Sequence, residues 1–363
     1  MSEATLNTLI DQVRSAAADN KALNITGGNT KHFYGEDPRG EPLTTTEFKG
    51  ITAYEPHELF VTARCGTPLT ELEATLAEKG QCLAFEPPRF AEGSTIGGMV
   101  AAGLSGPSRA SVGSVRDHVL GATLLSGKAE VLTFGGQVIK NVAGYDVSRL
   151  LAGSMGTLGL ILDVSLKVLP MSPATATLRF RMDQAAALTK LNEWGGQALP
   201  LNASAWWDGS LLLRLRGAMA AVRAAMTALG GEVIDPVHAS EFWQGLRDHQ
   251  DEYFVNAQKA VAGGSVALWR LSVPQTAAPL VLPGEQLIEW HGAQRWICTS
   301  ASGTKVREAA ERAGGHAVLF MAMHKDAGAF APLAPPLDRI HRDLKTSFDP
   351  SGIFNPGRLY PEF

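Results

Sequence analysis

GSTIGGMVAAGLSGPSRASVG, Gly93 to Gly113, carries six glycines in 21 residues. Glycine removes the Cβ barrier and lets backbone N–H groups approach a ligand closely. So many small residues make poor core and good backbone to lie against something large. Ser94 or Thr95 is placed to cap a helix opening near Ile96, which would bring a positive dipole end beside an anion. Working outward, Ala22-Leu23-Asn24-Ile25 reads as a strand entering the turn Thr26-Gly27-Gly28-Asn29-Thr30, a concavity of N–H donors suited to pyrophosphate. Downstream, Gly144-Tyr145-Asp146 and Gly153-Ser-Met-Gly156-Thr-Leu-Gly159 precede the apolar run 158–169. Any one cluster taken singly reads better as a plain turn. Three of them between Thr26 and Gly159 point to a large nucleotide cofactor. No G-x-G-x-x-G follows the first strand and no G-x-x-x-x-G-K-[ST] is present, so neither a Rossmann site nor a P-loop is written here.

The rest of the chain supplies the frame. Leu6, Leu9, Ile10, Val13 and Ala17 recur at helical spacing over 5–19. Residues 59–64 alternate as a strand, and Thr67-Pro68 then opens a helix over 69–79 that stops at Gly80. Strands are expected at 119–125 and 130–134, with a hairpin at Gly135-Gly136 returning through 137–140, and one or two strands over 158–169. Pro170-Met-Ser-Pro173 ends this pattern. Beyond it come strands at 175–182, 210–215, 266–273, 295–299 and 317–321, with helices ending near Glu193 and covering 218–229 and 305–313. Residues 331–336 are proline-rich, and a last helix, 337–348, leads into FDPSGIFNPGRLY. The class is α+β, divided as 1–170, 171–336 and 337–363.

Composition sets the outer bounds. The 363 residues are 45% hydrophobic and 19% charged, with a net charge of −4. That is a folded globular balance with no basic face for nucleic acid. Cys65, Cys82 and Cys298 stand far apart, so no zinc or iron–sulfur motif is formed, and no metal site is expected. No leader pattern and no bilayer-length apolar run occur, which makes the cytoplasm the expected location.

The wording of the three clusters resembles the vanillyl-alcohol-oxidase-type, or PCMH-type, FAD-binding family: TGGNT its pyrophosphate loop, GSTIGGMVAAGLSGPSRASVGSVRDHVLG and VIKNVAGYDVSRLLAGSMGTLGLILDVSLKVLP the rest of its FAD domain. The closing FDPSGIFNPGRLY is also similar. Within the family the chain is similar to the smaller flavin-binding subunits of bacterial glycolate oxidases. The resemblance is dense over about 20–170 and 337–363. It implies two small α/β lobes holding an extended FAD, plus an α+β cap over the isoalloxazine. Gly27, Gly28, Asn29 and Thr30 would hold the pyrophosphate. Pro87, Gly93, Ser94, Thr95, Gly97 and Gly98 would line the cofactor, with Ser105 and Gly106 further along. Gly156, Gly159 and Ile161 would flank it, and Asn355 would reach it from the tail. It implies a hetero-oligomer with a larger FAD-binding subunit and an iron–sulfur subunit, oxidising glycolate to glyoxylate and held peripherally at the inner membrane through its partners.

Two departures refine that expectation. Covalent family members carry a histidine in the pyrophosphate loop. Thr30 holds the matching position and His32 lies two residues on, so non-covalent FAD is expected. Related 2-hydroxy-acid dehydrogenases carry an H-G-D-G-N-x-H-like segment in the cap, supplying metal and base. His291-Gly292-Ala293-Gln294 lacks its acid and second histidine, so no catalytic residue is nominated. A self-sufficient 2-hydroxy-acid dehydrogenase and a structural subunit without flavin are the alternative readings. Arg109, Arg116, Asp117, Lys140, Asp146 and Arg149 read either as groups facing a reduced flavin or carboxylate, or as ion pairs that lock the glycine loops. Trp206, Trp207, Trp243 and Trp269 read as cap pocket, core or interface.

Overall fold

The computed structural model describes residues 2–136 and 146–362. Helix α1 (Ser2–Asp19) buries Leu9, Val13 and Ala16 along one stripe, the spacing of a single helical face. Strand β1 (Leu23–Thr26) pairs in parallel with β2 (Glu41–Thr44), and its other edge bridges Phe354 of the tail. Strands β3 (Ile51–Glu55) and β4 (Phe60–Arg64) form an antiparallel pair, and α2 (Leu69–Ala77) follows. Thr67 does not cap α2 as its sequence position leads one to expect. Its hydroxyl accepts the Gly50 N–H at 2.8 Å, and Pro68 takes the capping place.

After the short β5 (Gln81–Cys82), the glycine-rich stretch folds into α3 (Ile96–Ala102) and α4 (Arg109–Val112), and α5 (Val115–His118) leads into β6 (Val119–Leu125). Then come β7 (Val131–Gly135), β8 (Leu160–Lys167) and β9 (Leu169–Pro170). An antiparallel five-stranded sheet runs β3-β4-β8-β6-β7. The expected return strand 137–140, with Lys140, Gly144 and Tyr145, lies outside the described residues.

The cap opens with β10 (Ala174–Arg181), α6 (Gln184–Gly195), β11 (Leu201–Trp207), β12 (Ser210–Gly217), α7 (Met219–Leu229) and β13 (Glu232–Val233). It continues through α8 (Pro236–Asp248), α9 (Glu252–Ala262), β14 (Ala267–Ser272), β15 (Glu285–Glu289), β16 (Gln294–Thr299), α10 (Gly303–Arg312) and β17 (His316–Met321). Its eight strands form one antiparallel sheet, β13-β10-β12-β11-β15-β16-β14-β17. Helix α11 (Leu337–Phe348) carries the chain back to the first sheet, where Lys345 Nζ donates to the carbonyls of Thr157 (2.8 Å) and Phe354 (2.7 Å) and to Asp349 (2.6 Å).

The cap is fastened in two ways. An apolar cluster unites Tyr34, Ala102, Leu104 and Met155 with the cap residues Trp243, Leu246, Phe254, Trp296 and Phe320. Beside it Arg214 Nη2 reaches both Glu86 carboxylate oxygens at 2.6 and 2.8 Å, and Arg216 adds a contact at 3.1 Å. Burial alone would raise the Glu86 pKa, but the two arginines hold it below the ordinary carboxylate value.

Candidate functional site

A groove lies between the β1–β2 lobe and the five-stranded sheet. Its walls include Gly27, Gly28, Asn29 and Thr30 after β1, Thr95, Gly97 and Gly98 at the start of α3, Gly156, Gly159 and Ile161 entering β8, and Asn355 from the tail. Thus the three glycine clusters and the tail do meet at one place. Asn355 accepts the Ile25 N–H at 2.7 Å and donates to the Met155 carbonyl at 2.6 Å, tying β1 to the third cluster.

The glycines serve each other first. A Cβ on Gly28 would strike the Gly93 carbonyl, and one on Gly27 would strike the Thr95 hydroxyl. On Gly97 it would lie 2.6 Å from Cys65 Cβ, whereas on Gly98 it would meet nothing closer than Thr95 Oγ1 at 3.3 Å. Close packing between loops therefore demands the first three, and Gly98 is the least crowded of the four, a Cβ there needing only a small shift of the Thr95 hydroxyl. Thr95 caps α3, accepting the Gly98 N–H. The Ile96 and Gly97 N–H groups are not free for an anion, because they donate to Thr67 and Cys65 carbonyls at 3.0 and 2.8 Å.

The open donors are in the first loop. The N–H groups of Gly27, Gly28, Asn29 and Thr30 find no acceptor among the described residues, and Asn29 adopts φ +57°. Successive unpaired N–H groups through such a turn form an anion nest.

Two cations that sequence reasoning missed complete the wall. Lys31 is half-buried. Its Nζ donates to Ser94 Oγ at 2.7 Å and lies 5.5 Å from the Phe90 ring. Burial pushes its pKa down to about 8, against the opposing charge of Asp248. Arg358 is 6% exposed. It donates to the His32 carbonyl at 3.1 Å, and its Nη1 has no partner. No carboxylate is among the residues lining the groove. The available signal was modest: Lys31 adjoins the TGGNT turn, and Arg358 follows Asn355 by three residues.

The remaining expected residues lie behind or beyond the groove. Gly93 backs Gly28, and Ser94 receives Lys31. Pro87 is buried beside Glu86. Ser105 accepts the Val115 N–H, and the Gly106 carbonyl accepts Trp290 Nε1 at 3.0 Å. Both line a small pocket at the cap contact.

That contact is densely aromatic. Phe33 meets Phe90 and Phe320 at 5.2 and 5.4 Å, and His249 stacks on Phe254 at 3.6 Å. Burial, then Arg270, keep His249 well below its ordinary pKa, so it is a neutral member of the stack. Glu289 is fully buried and pushed up to about 7, while accepting from Trp296 at 2.6 Å and Gln294 at 3.0 Å. His291 is no base in the groove. Its Nε2 lies 3.4 Å from Ser111 Oγ at the cap boundary, and burial pushes it down to about 4. Among the described residues no three His, Cys, Asp or Glu side chains stand close enough to share a metal ion. Asp117 closes a capping box with Ser114 and Asp146 pairs with Arg149, so both acids serve local structure. Trp243 and Trp269 are core; the Trp206 and Trp207 indoles donate to Met182 and Glu285.

Residues 4–135 match the FAD binding domain family FAD_binding_4. The chain is similar to glycolate oxidase subunit GlcE of Escherichia coli (strain K12), with 45% identity over 354 residues, covering 98% of this chain and 97% of that protein. It is 32% identical over 139 residues to D-lactate dehydrogenase of Anaerostipes hadrus, covering 38% of this chain and 29% of that one. It is 31% identical over 129 residues to glycolate oxidase subunit GlcD of Bacillus subtilis (strain 168), covering 35% and 27%. A solved structure of alkyldihydroxyacetonephosphate synthase shares the fold, with a TM-score of 0.64, 15% identity, and coverage of 96% of this chain and 75% of that chain.

Proposed function

Because the chain belongs to the family of glycolate oxidase subunit GlcE, an FAD-binding oxidoreductase family, we propose that it is the smaller flavin subunit of a glycolate-oxidising complex. The N–H groups of Gly27 to Thr30 hold the pyrophosphate, and Lys31 and Arg358 offer positive charge where the groove nears the cap. Thr95 and Gly98 form the wall between the two. Bound FAD supplies a two-electron redox centre. It is held non-covalently, Thr30 offering no ring nitrogen for a flavin bond. A larger flavin subunit oxidises glycolate to glyoxylate, and an iron–sulfur subunit takes the electrons onward. No helix among the described residues is long and apolar enough to cross a membrane, and in this reading attachment to the inner membrane is the partners' part.

The observation that carries this reading is the contrast between two surfaces. The groove offers unpaired donors, two cations and no carboxylate. The cap face beside it is filled by Phe33, Phe90, Phe320 and His249, whose burial holds its pKa well below the ordinary value and makes it a weak proton acceptor. The test is a visible spectrum of the purified chain before and after glycolate. A flavin band that acid precipitation releases to the supernatant, and that glycolate bleaches only when the partner subunits are added, is expected. A colourless chain would overturn the cofactor reading. Rapid bleaching of the isolated chain would overturn the division of labour and favour a self-sufficient dehydrogenase.

A further inference from the structure

The cap sheet has an unfinished edge. Strand β10 pairs along its whole length with β12, but on its other side β13 covers only Leu178 and Arg179. The Ile234 N–H donates to the Thr177 carbonyl on that outer side. Backbone groups along a strand alternate in direction with a period of two. Thr175 therefore turns its N–H and carbonyl to the same side, where no described residue pairs with them. Thr175 is exposed.

The surroundings make this edge the floor of a groove of about 890 Å³. Helix α7 forms one wall with Met219 and Met226, and α8 forms the other with Trp243 and Gln244. Met171, just before β10, is 50% exposed, Met219 61% and Val233 56%. Natural proteins blunt open edges with charge, proline or cover, and adaptable methionines mark binding surfaces. The ionic character is opposite to that of the whole chain, whose net charge is −4. Arg223 is exposed on this wall without an ion-pair partner among the described residues, and Arg216 shares Glu86 with Arg214.

We propose that this edge is the docking site for an extended segment of another subunit of the complex, apolar in alternation and bearing a carboxylate. It adds a strand of about four residues, roughly 13 Å, in line with β13. Its apolar side chains lie against the methionines and its carboxylate meets Arg223. This rests on the subunit reading above. β13 already demonstrates that the edge accepts a strand. Main-chain bonds supply affinity in such strand additions, and the flanking pockets supply selectivity.

The experiment uses the full-length chain co-expressed with its partner subunits. Thr175→Pro removes the outward N–H without breaking a ladder bond, and Arg223→Glu reverses an exposed charge. Each is expected to lower recovery of the assembled complex at least about tenfold, with the FAD content and melting temperature of the isolated chain unchanged. A photoreactive p-benzoylphenylalanine replacing Met219 is expected to crosslink to an alternating apolar segment of a partner subunit containing Asp or Glu. Assembly at wild-type level in both variants overturns the proposal. So does a crosslink to lipid, to a small molecule or to a second copy of this chain. If Thr175→Pro fails to fold, Arg223→Glu and the crosslink decide. A complex that assembles with its crosslinks elsewhere sinks this site and leaves the subunit reading intact. A wild-type chain replete with FAD that joins no partner sinks both.

Discussion

At the scale of single residues, the glycine clusters were legible and their immediate reason was not. Sequence alone assigns Gly27, Gly28 and Gly93 to contact with a ligand. In the fold, Gly28 is glycine because the Gly93 carbonyl sits where its Cβ would be. The anion nest forms only because the two loops touch. Gly28→Ala is therefore expected to displace the loop and cut the flavin bound per chain at least about tenfold, read from the ratio of flavin to protein absorbance. Lys31 makes a pH-dependent prediction. Burial pushes its pKa down from 10.5 to about 8 in the cofactor-free protein, so its positive charge is lost as pH rises through 8. An anionic cofactor binds the charged form better. FAD affinity is thus expected to fall by about tenfold between roughly pH 7.5 and 9.5, and to be flat over that range in Lys31→Met, by titration of flavin fluorescence. Arg358 was harder to find from its neighbours in sequence. Its one signal is that it stands three residues past Asn355, and which side chains of that tail turn into the groove is set by the fold.

At the scale of elements, strands and helices with clean periodicity were readable, and those whose polar residues are paired inside were not. β11 was missed because Asn202 and Ser204 interrupt its apolar pattern. Both are buried, Asn202 accepting from Arg214 at 2.6 Å and Ser204 from the His291 N–H at 2.9 Å. α8 and α9 were missed although Asp235 and Asp251 cap them. The loop between them is short, and Gly245 blurs the end of α8. The buried contact of Glu86 with Arg214 and Arg216 is also a matter of tertiary structure. Glu86→Gln leaves two arginines facing each other without a counter-charge, and is expected to destabilise the protein by about 3 kcal/mol near neutrality, measured by denaturant midpoint. Because Glu86 has its folded pKa held below 4.5, its contribution is present above that value and is lost as pH falls below it. The gap between wild type and Glu86→Gln should therefore close on acidification.

For the whole molecule, the sequence conveyed an α+β chain. It did not convey that the cap is a single eight-stranded sheet, since which strands pair across long gaps is invisible to periodicity. The tail's part in the first lobe is larger than its length implies. Leu23 donates to the Ile353 carbonyl at 2.7 Å, Asn355 donates back to the Leu23 carbonyl at 2.9 Å, and Lys345 pins the segment from beneath. Removing residues 353–363 is expected to abolish flavin retention while the cap keeps its secondary structure, which circular dichroism and flavin absorbance measured together would reveal. Retained flavin in that shortened chain would mean the tail is dispensable to the groove. The return of the tail also imposes an order of events in the cell. Residues 353–358 are synthesised after every other wall of the groove, so the berth for the cofactor is unfinished until they have left the ribosome and folded back beside β1.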